Sequence, residues 1–155
     1  MIIIIIFFLC LFLIFYVYAG YPLFVACVGF FRPRPVRKDT GQEPLVTILI
    51  PAHNEESGIK ETVENKLDLD YPRERMEIVV ISDGSDDRTD EIVRSYAGEG
   101  VRLLRQEPRG GKTKALNMAV RDIRGEIIVF SDANSMYAPN SLKMLVRNFA
   151  DPDVG

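Results

Sequence analysis

Asp132 and Asn134 stand two residues apart just behind the apolar run Glu126 to Phe130. That spacing lets both side-chain oxygens reach one hard divalent cation. Mg²⁺ takes only one or two protein carboxylates and fills its shell with phosphate oxygens and water. Taken alone the triplet is short and common in turns. A second polar run, Asp83-Gly84-Ser85-Asp86-Asp87, follows Ile78 to Ile81. Asp83 stands directly at the end of the apolar stretch, where a carboxylate can accept hydrogen bonds from a base N–H or a ribose hydroxyl. Gly84 permits positive φ, and Ser85 or Asp86 can equally cap the next helix. Arg109-Gly110-Gly111-Lys112 combines cations with a flexible turn, which suits a diphosphate. The alternative for Lys112 is a solvated lysine in a first helical turn. A P-loop is excluded, because that pattern needs glycine at position 106, where Gln106 stands. His53 is the only histidine, with no visible His/Asp pair and serine, and receives no chemistry. There is no Cys/His ligand cluster.

These polar runs need elements to hold them. Val46 to Ile50 is a short β-branched strand that Pro51 is expected to end. Ile59, Val63 and Leu67, four apart, form one stripe of a helix that stops before Tyr71-Pro72. Glu77 to Ile81 is a second strand, and Ile92, Val93 and Tyr96 give a second helical face ended by Gly98 and Gly100. Val101 to Leu104 is a third strand. Ala115, Leu116, Ala119, Val120 and Ile123 make a third helix closed by Gly125. Glu126 to Phe130 is the fourth strand, and Pro139 opens a helix whose face is Leu142, Leu145, Val146 and Phe149. Continuous apolar strands joined by helices predict a parallel sheet covered on both faces. Ligands of such sheets bind beyond the carboxyl ends of the strands, where these three polar runs and a fourth, Pro51-Ala52-His53-Asn54-Glu55-Glu56 behind the first strand, all fall.

The rest of the chain is a different material. From Ile2 to Phe31 thirty consecutive residues carry no charge, and Arg32, Arg34, Arg37 and Lys38 follow at once. A bilayer core needs roughly 20 helical residues, so this run is long enough to span one. Gly20 and Pro22 are expected to kink or end a first helical section, with Tyr16, Tyr18 and Tyr21 near an interface. A cleaved secretory signal would need a basic start and a shorter apolar core. The basic collar predicts that the body lies in the cytoplasm, behind a single span in the plasma membrane. Both cysteines, Cys10 and Cys27, lie inside the apolar run, so the body has no disulfide framework. From Asp39 onward there are fifteen basic and twenty-two acidic residues, a net charge of −7, which argues against a nucleic-acid partner. The expected organisation is a transmembrane helix over 1–31, a collar and linker over 32–44, and one α/β body over 45–155.

The four motifs together, Val46-Thr47-Ile48-Leu49-Ile50-Pro51-Ala52-His53-Asn54-Glu55, Val79-Val80-Ile81-Ser82-Asp83-Gly84-Ser85-Asp86-Asp87, Gly110-Gly111-Lys112-Thr113-Lys114-Ala115-Leu116-Asn117 and Phe130-Ser131-Asp132-Ala133-Asn134, resemble the family 2 glycosyltransferases. The resemblance covers about Leu45 to Asp151, and a helix ahead of the domain is similar to the membrane-bound processive synthases of cellulose, chitin, hyaluronan and poly-N-acetylglucosamine. Lipid-linked sugar transferases share that layout. The resemblance implies the GT-A fold and transfer of a sugar, with UDP-sugar as the family's expectation, to a polysaccharide or lipid acceptor by metal-assisted inverting displacement. It implies that Pro51, Ala52, Glu55, Asp83, Asp86, Lys112 and Asp132 bind the donor, and that Asp132 and Asn134 hold Mg²⁺ or Mn²⁺.

Two departures qualify the resemblance. Asn134 takes the place of the second acid of the family's Asp-any-Asp motif, and an amide oxygen is a weaker metal ligand, so looser metal binding is expected. The chain also has no tryptophan, hence no Gln-any-any-Arg-Trp motif, and no candidate for the family's catalytic base. The base is expected beyond Gly155, in a longer enzyme, and a sheet cut at its fifth strand is expected to leave an aggregation-prone edge. The rival reading is a membrane-tethered α/β nucleotide-binding module without transferase activity.

Overall fold

The computed structural model describes residues 1–154 and forms two compact units, Met1–Val36 and the body from Arg37 onward. The first unit is one uninterrupted helical stretch, Ile2–Phe31. It consists of α1 (Ile2–Phe15), a π-helical turn (Tyr16–Gly20) and α2 (Tyr21–Phe31). Gly20 and Pro22 therefore do not end the helix. Pro22 has no N–H to offer the preceding turn, and the chain accommodates it by widening: Tyr21 N–H bonds to the carbonyl of Tyr16, five residues back. None of the α1 or α2 side chains is buried, so this helix is long and apolar enough to span a bilayer.

The body is a four-stranded, wholly parallel sheet: β1 (Val46–Ala52), β2 (Met76–Asp83), β3 (Val101–Gln106) and β4 (Ile127–Phe130), in the order β3-β2-β1-β4. The side chains of Val46, Ile48 and Ile50 on β1 and Ile78 and Val80 on β2 face α3 (Ile59–Leu67), α4 (Thr89–Ser95) and α6 (Ser141–Val146). Leu49, Val79 and Ile81 face the other way, onto Ala115 and Ala119 of α5 (Lys112–Ala119). The two-residue period of the strands produces this two-sided core.

Strand order follows from handedness. The steps β1 to β2 to β3 run in one direction, which puts α3 and α4 on one face. The next crossover returns past β1 to its far side, so a right-handed connection puts α5 on the opposite face. The reversal opens a crevice at the carboxyl ends of β1 and β4.

Three elements differ from the sequence expectation. β1 continues through Pro51 to Ala52, pairing with β2 as far as Ser82. Leu49 C=O accepts the Ser131 N–H, so Pro51, two residues on, turns its missing donor to the same side, past the end of β4. α5 stops at Ala119 rather than reaching Ile123, because the chain must return to the start of β4. Arg121 and Asp122 donate to the carbonyls of Met118 and Ala119 in tight turns. The last helix begins at Ser141, two residues after Pro139. Part of the expected linker also packs on the body: Arg37 N–H bonds Asp151 Oδ2 (3.0 Å), Gln42 Nε2 bonds Val146 O (2.7 Å), and Tyr71 Oη donates to Pro44 O (2.6 Å).

Candidate active site

The carboxyl ends of the strands enclose a cavity of about 380 Å³. The tip of β1 supplies Pro51, Ala52, His53 and Glu55; β2 supplies Asp83; the β3–α5 loop supplies Arg109, Gly111 and Lys112; the tip of β4 supplies Asp132, Ala133 and Asn134. Chain positions separated by 83 residues thus share one wall because β4 pairs with β1 rather than with β3.

Asp83 is buried at the floor, and its carboxylate organises the loop above it. Oδ1 accepts the Gly110 N–H (2.8 Å) and Gln106 Nε2 (2.5 Å), while Oδ2 accepts the Gly111 N–H (2.8 Å). The Gly110 amide, followed by that of Gly111, Gln106 and the Arg109 guanidinium 4.0 Å away, outweighs burial and holds the Asp83 carboxyl below the usual carboxylate range. Gly111 has φ +87°, which only glycine adopts freely, so the chain can turn there and enter α5 with Lys112 as its first residue. The free N–H groups of that first turn open beside the cavity.

On the facing wall the Lys112 ammonium is paired with Asp132 Oδ1, both side chains three-fifths exposed. His53 Nδ1 lies 2.9 Å from the Asp83 carbonyl oxygen, which can only accept, so Nδ1 is the donor of that bond.

Of the residues picked out from sequence, Pro51, Ala52, Glu55, Asp83, Lys112, Asp132 and Asn134 line this cavity. Asp86 does not. It is exposed and bound reciprocally to Asn54, accepting from Nδ2 (2.6 Å) and donating its own N–H to Oδ1 (3.0 Å), a staple between the β1 and β2 tips. Nor does Asp86 or Ser85 cap α4: Asp87 Oδ1 accepts the Thr89 N–H (2.9 Å) and its Oδ2 accepts that of Glu56 (3.0 Å). His53 and Arg109 line the cavity without having been picked as site residues. Arg109 was legible beside the glycine pair, and His53 through its place one residue beyond β1.

Among the described residues, no group of three or more His, Cys, Asp or Glu could hold a metal ion. The oxygens of Asp132 and Asn134 are hard donors, and two protein ligands suit a Mg²⁺ or Mn²⁺ ion that shares phosphate oxygens. The lysine against Asp132 marks that carboxylate as a place for positive charge.

The family profile described as Glycosyl transferase family 2 matches residues 47–155. The beta-monoglucosyldiacylglycerol synthase of Trichormus variabilis is 37% identical over 133 residues, covering 83% of this chain and 28% of that protein. The probable glycosyltransferase YdaM of Bacillus subtilis is 36% identical over 104 residues, 64% of this chain and 25% of that protein. The chain spans about a quarter of the length of these curated relatives. Among solved structures, the mannosyltransferase PcManGT from Pyrobaculum calidifontis, in complex with GDP-Man and Mn²⁺, matches with a TM-score of 0.79 at 35% identity, over 90% of this chain and 43% of that one. Residues 1–349 of TarS from S. aureus, in complex with UDP-GlcNAc, match with a TM-score of 0.62 at 28% identity, over 65% of this chain and 30% of that one.

Proposed function

The chain belongs to glycosyltransferase family 2, and from that membership we propose that its body is the donor-binding part of a membrane-anchored transferase using a nucleotide diphosphate sugar. Its α/β sheet has the GT-A fold, incomplete beyond β4. The observation that carries the reading is the convergence of the strand tips on one cavity lined by Arg109, Lys112, the start of α5 and the carboxylates Glu55, Asp83 and Asp132.

In this reading Pro51 and Ala52 floor the nucleoside pocket, while Glu55 and Asp83 face the base and ribose. Arg109, Lys112 and the first amides of α5 take the diphosphate. Asp132 and Asn134 hold Mg²⁺ or Mn²⁺, which supplies positive charge to the departing diphosphate. When the donor arrives, Lys112 exchanges Asp132 for phosphate oxygen. In the transfer, an acceptor hydroxyl oxygen attacks the anomeric carbon, the bond to the diphosphate oxygen breaks with its electron pair, and a base takes the hydroxyl proton. Asp83 is committed to its loop and Asp132 to cation binding, so neither is that base.

The acceptor is a glycan or lipid at the membrane, and the similarity to a monoglucosyldiacylglycerol synthase favours a lipid. The single span Ile2–Phe31 sits in the plasma membrane, with the basic collar holding the body on the cytoplasmic side. Uridine is the first base to test. Guanosine is the second, since one similar structure is a complex with GDP-Man.

Calorimetry on the chain in lipid nanodiscs tests the reading. Saturable binding of UDP or GDP, strengthened by Mn²⁺ and lost in Asp83→Ala, supports it. A folded body that binds neither nucleotide overturns it. Nucleotide binding without sugar transfer by a longer form that includes the following segment would favour the tethered binding module instead.

A further inference from the structure

The loop that carries Asp132 and Asn134 rests on a polar strip of α3 that the nucleotide reading does not use. Thr62, Asn65 and Lys66 sit three and four residues apart, on one helical face. Thr62 and Lys66 have no exposed surface at all. The Thr62 hydroxyl donates to the Ala133 carbonyl. Asn65 closes a two-bond ring on Tyr137, donating from Nδ2 to its carbonyl (3.0 Å) and accepting its N–H at Oδ1 (2.8 Å). Lys66 Nζ donates to the Ser135 carbonyl and to Asn65 Oδ1 (3.0 Å), and lies 3.9 Å from the centroid of the Tyr137 ring.

None of those Lys66 partners is a carboxylate. A buried ammonium without a counter-charge costs desolvation that an aliphatic side chain would avoid. What it gives in return is a grip on the loop: three side chains fix the backbone at Ala133, Ser135 and Tyr137, on both sides of Asn134 and one residue from Asp132. We propose that Thr62, Asn65 and Lys66 form a clamp that sets the Asp132–Asn134 pair at the spacing a shared divalent cation requires. They are positioning residues. The strip never reaches the cavity, and it acts only through the loop. The proposal rests on the reading of the cavity as a metal-assisted donor site.

Lys66→Met keeps the volume and removes the grip, and Thr62→Val removes one bond of the same set. Both are made in the 155-residue chain in nanodiscs and read in two ways. Without ligand, amide hydrogen exchange over residues 133–137 is expected to rise at least tenfold in Lys66→Met and severalfold in Thr62→Val, with β1 and β2 unchanged. With ligand, UDP affinity in the absence of metal is expected to stay within twofold, while the gain produced by Mn²⁺ falls at least fivefold. A general loss of structure would weaken both affinities together, which overturns the clamp. Unchanged loop exchange in both variants overturns it as well. If the wild-type chain binds no nucleotide, the donor-site reading falls by itself, and the exchange result still decides the clamp.

Discussion

The amide of Gly111 donates to Asp83 Oδ2 at 2.8 Å, so the end of β2 holds the turn that starts α5. Gly110 and Gln106 bond the other oxygen of the same carboxylate. Asp83 is therefore a structural centre of the cavity as well as a candidate donor contact. Its substitution should be felt in the loop before any nucleotide is added.

Asp83→Ala is expected to lower UDP or GDP affinity at least tenfold and to speed exchange of the Gly110 and Gly111 amides. The folded carboxyl lies below its usual value, so its stabilisation is complete above that value and is lost only as pH falls through the lower folded one. Protection of the two amides should therefore be the same at pH 7 and pH 5. Loss of protection by pH 5 would contradict this account.

Removing Lys112 separates the two halves of its pairing with Asp132. Lys112→Ala frees the carboxylate, so Mn²⁺ alone should bind several-fold more tightly while diphosphate affinity falls. Stability should change by under about 1 kcal/mol, the usual range for an exposed pair. Titration with Mn²⁺ and then UDP reads both effects, and weaker Mn²⁺ binding in the variant would sink the exchange role.

Lys66 gives the body an alkaline signature. Burial lowers its pKa from 10.5 to about 8. Between those values the unfolded chain binds the proton and the folded chain does not, so stability rises with pH through that window, at up to about 1.4 kcal/mol per pH unit. Tyr71 and Tyr96, both raised to about 12, act in the opposite sense above pH 10. Denaturation midpoints measured from pH 8 to pH 10 should rise in wild type relative to Lys66→Met. Parallel profiles would refute the assignment.

At the far end of the sheet, Glu77 is buried and accepts bonds from Thr47 Oγ1 (2.7 Å), the Arg124 amide (3.0 Å), Arg124 Nε (3.2 Å) and Arg102. Burial alone would raise its carboxyl, but the bonds from Thr47, Arg124 and Arg102 hold it low. Glu77→Ala should cost roughly 2–4 kcal/mol, as breaking a buried pair does when one partner is partly exposed. Gly125→Ala should also destabilise, because a Cβ there would collide with the Thr47 backbone nitrogen. Gly98→Ala, with open space around it, should not. Chemical denaturation ranks the three, and nucleotide affinity of the folded fraction should be unchanged in all of them.

Much of this was legible in the residues themselves. Runs such as Ile78 to Ile81 and the stripe Ile59, Val63, Leu67 report local periodicity, and periodicity decides strand or helix without reference to the rest of the chain. The polar runs behind each strand marked where chemistry would gather, because a parallel sheet leaves its strand ends open to a ligand. The thirty uncharged residues marked a membrane-length helix by length alone.

What the tertiary structure decided is which groups meet. No local signal says that β4 pairs with β1, yet that pairing brings Asp132 to Lys112 and opens the crevice. The resemblance implied a donor contact for Asp86 as well as for Asp83, although Asp86 could equally have capped the next helix. The reciprocal bonds with Asn54, 32 residues away, bind it outside the cavity lining. Lys66 reads as an ordinary helix-surface lysine until the β4 loop folds over it. Patterns along the chain are set by neighbours three or four residues off. The partners of a charge are set by contacts some 20 to 70 residues distant, which exist only once the sheet has closed.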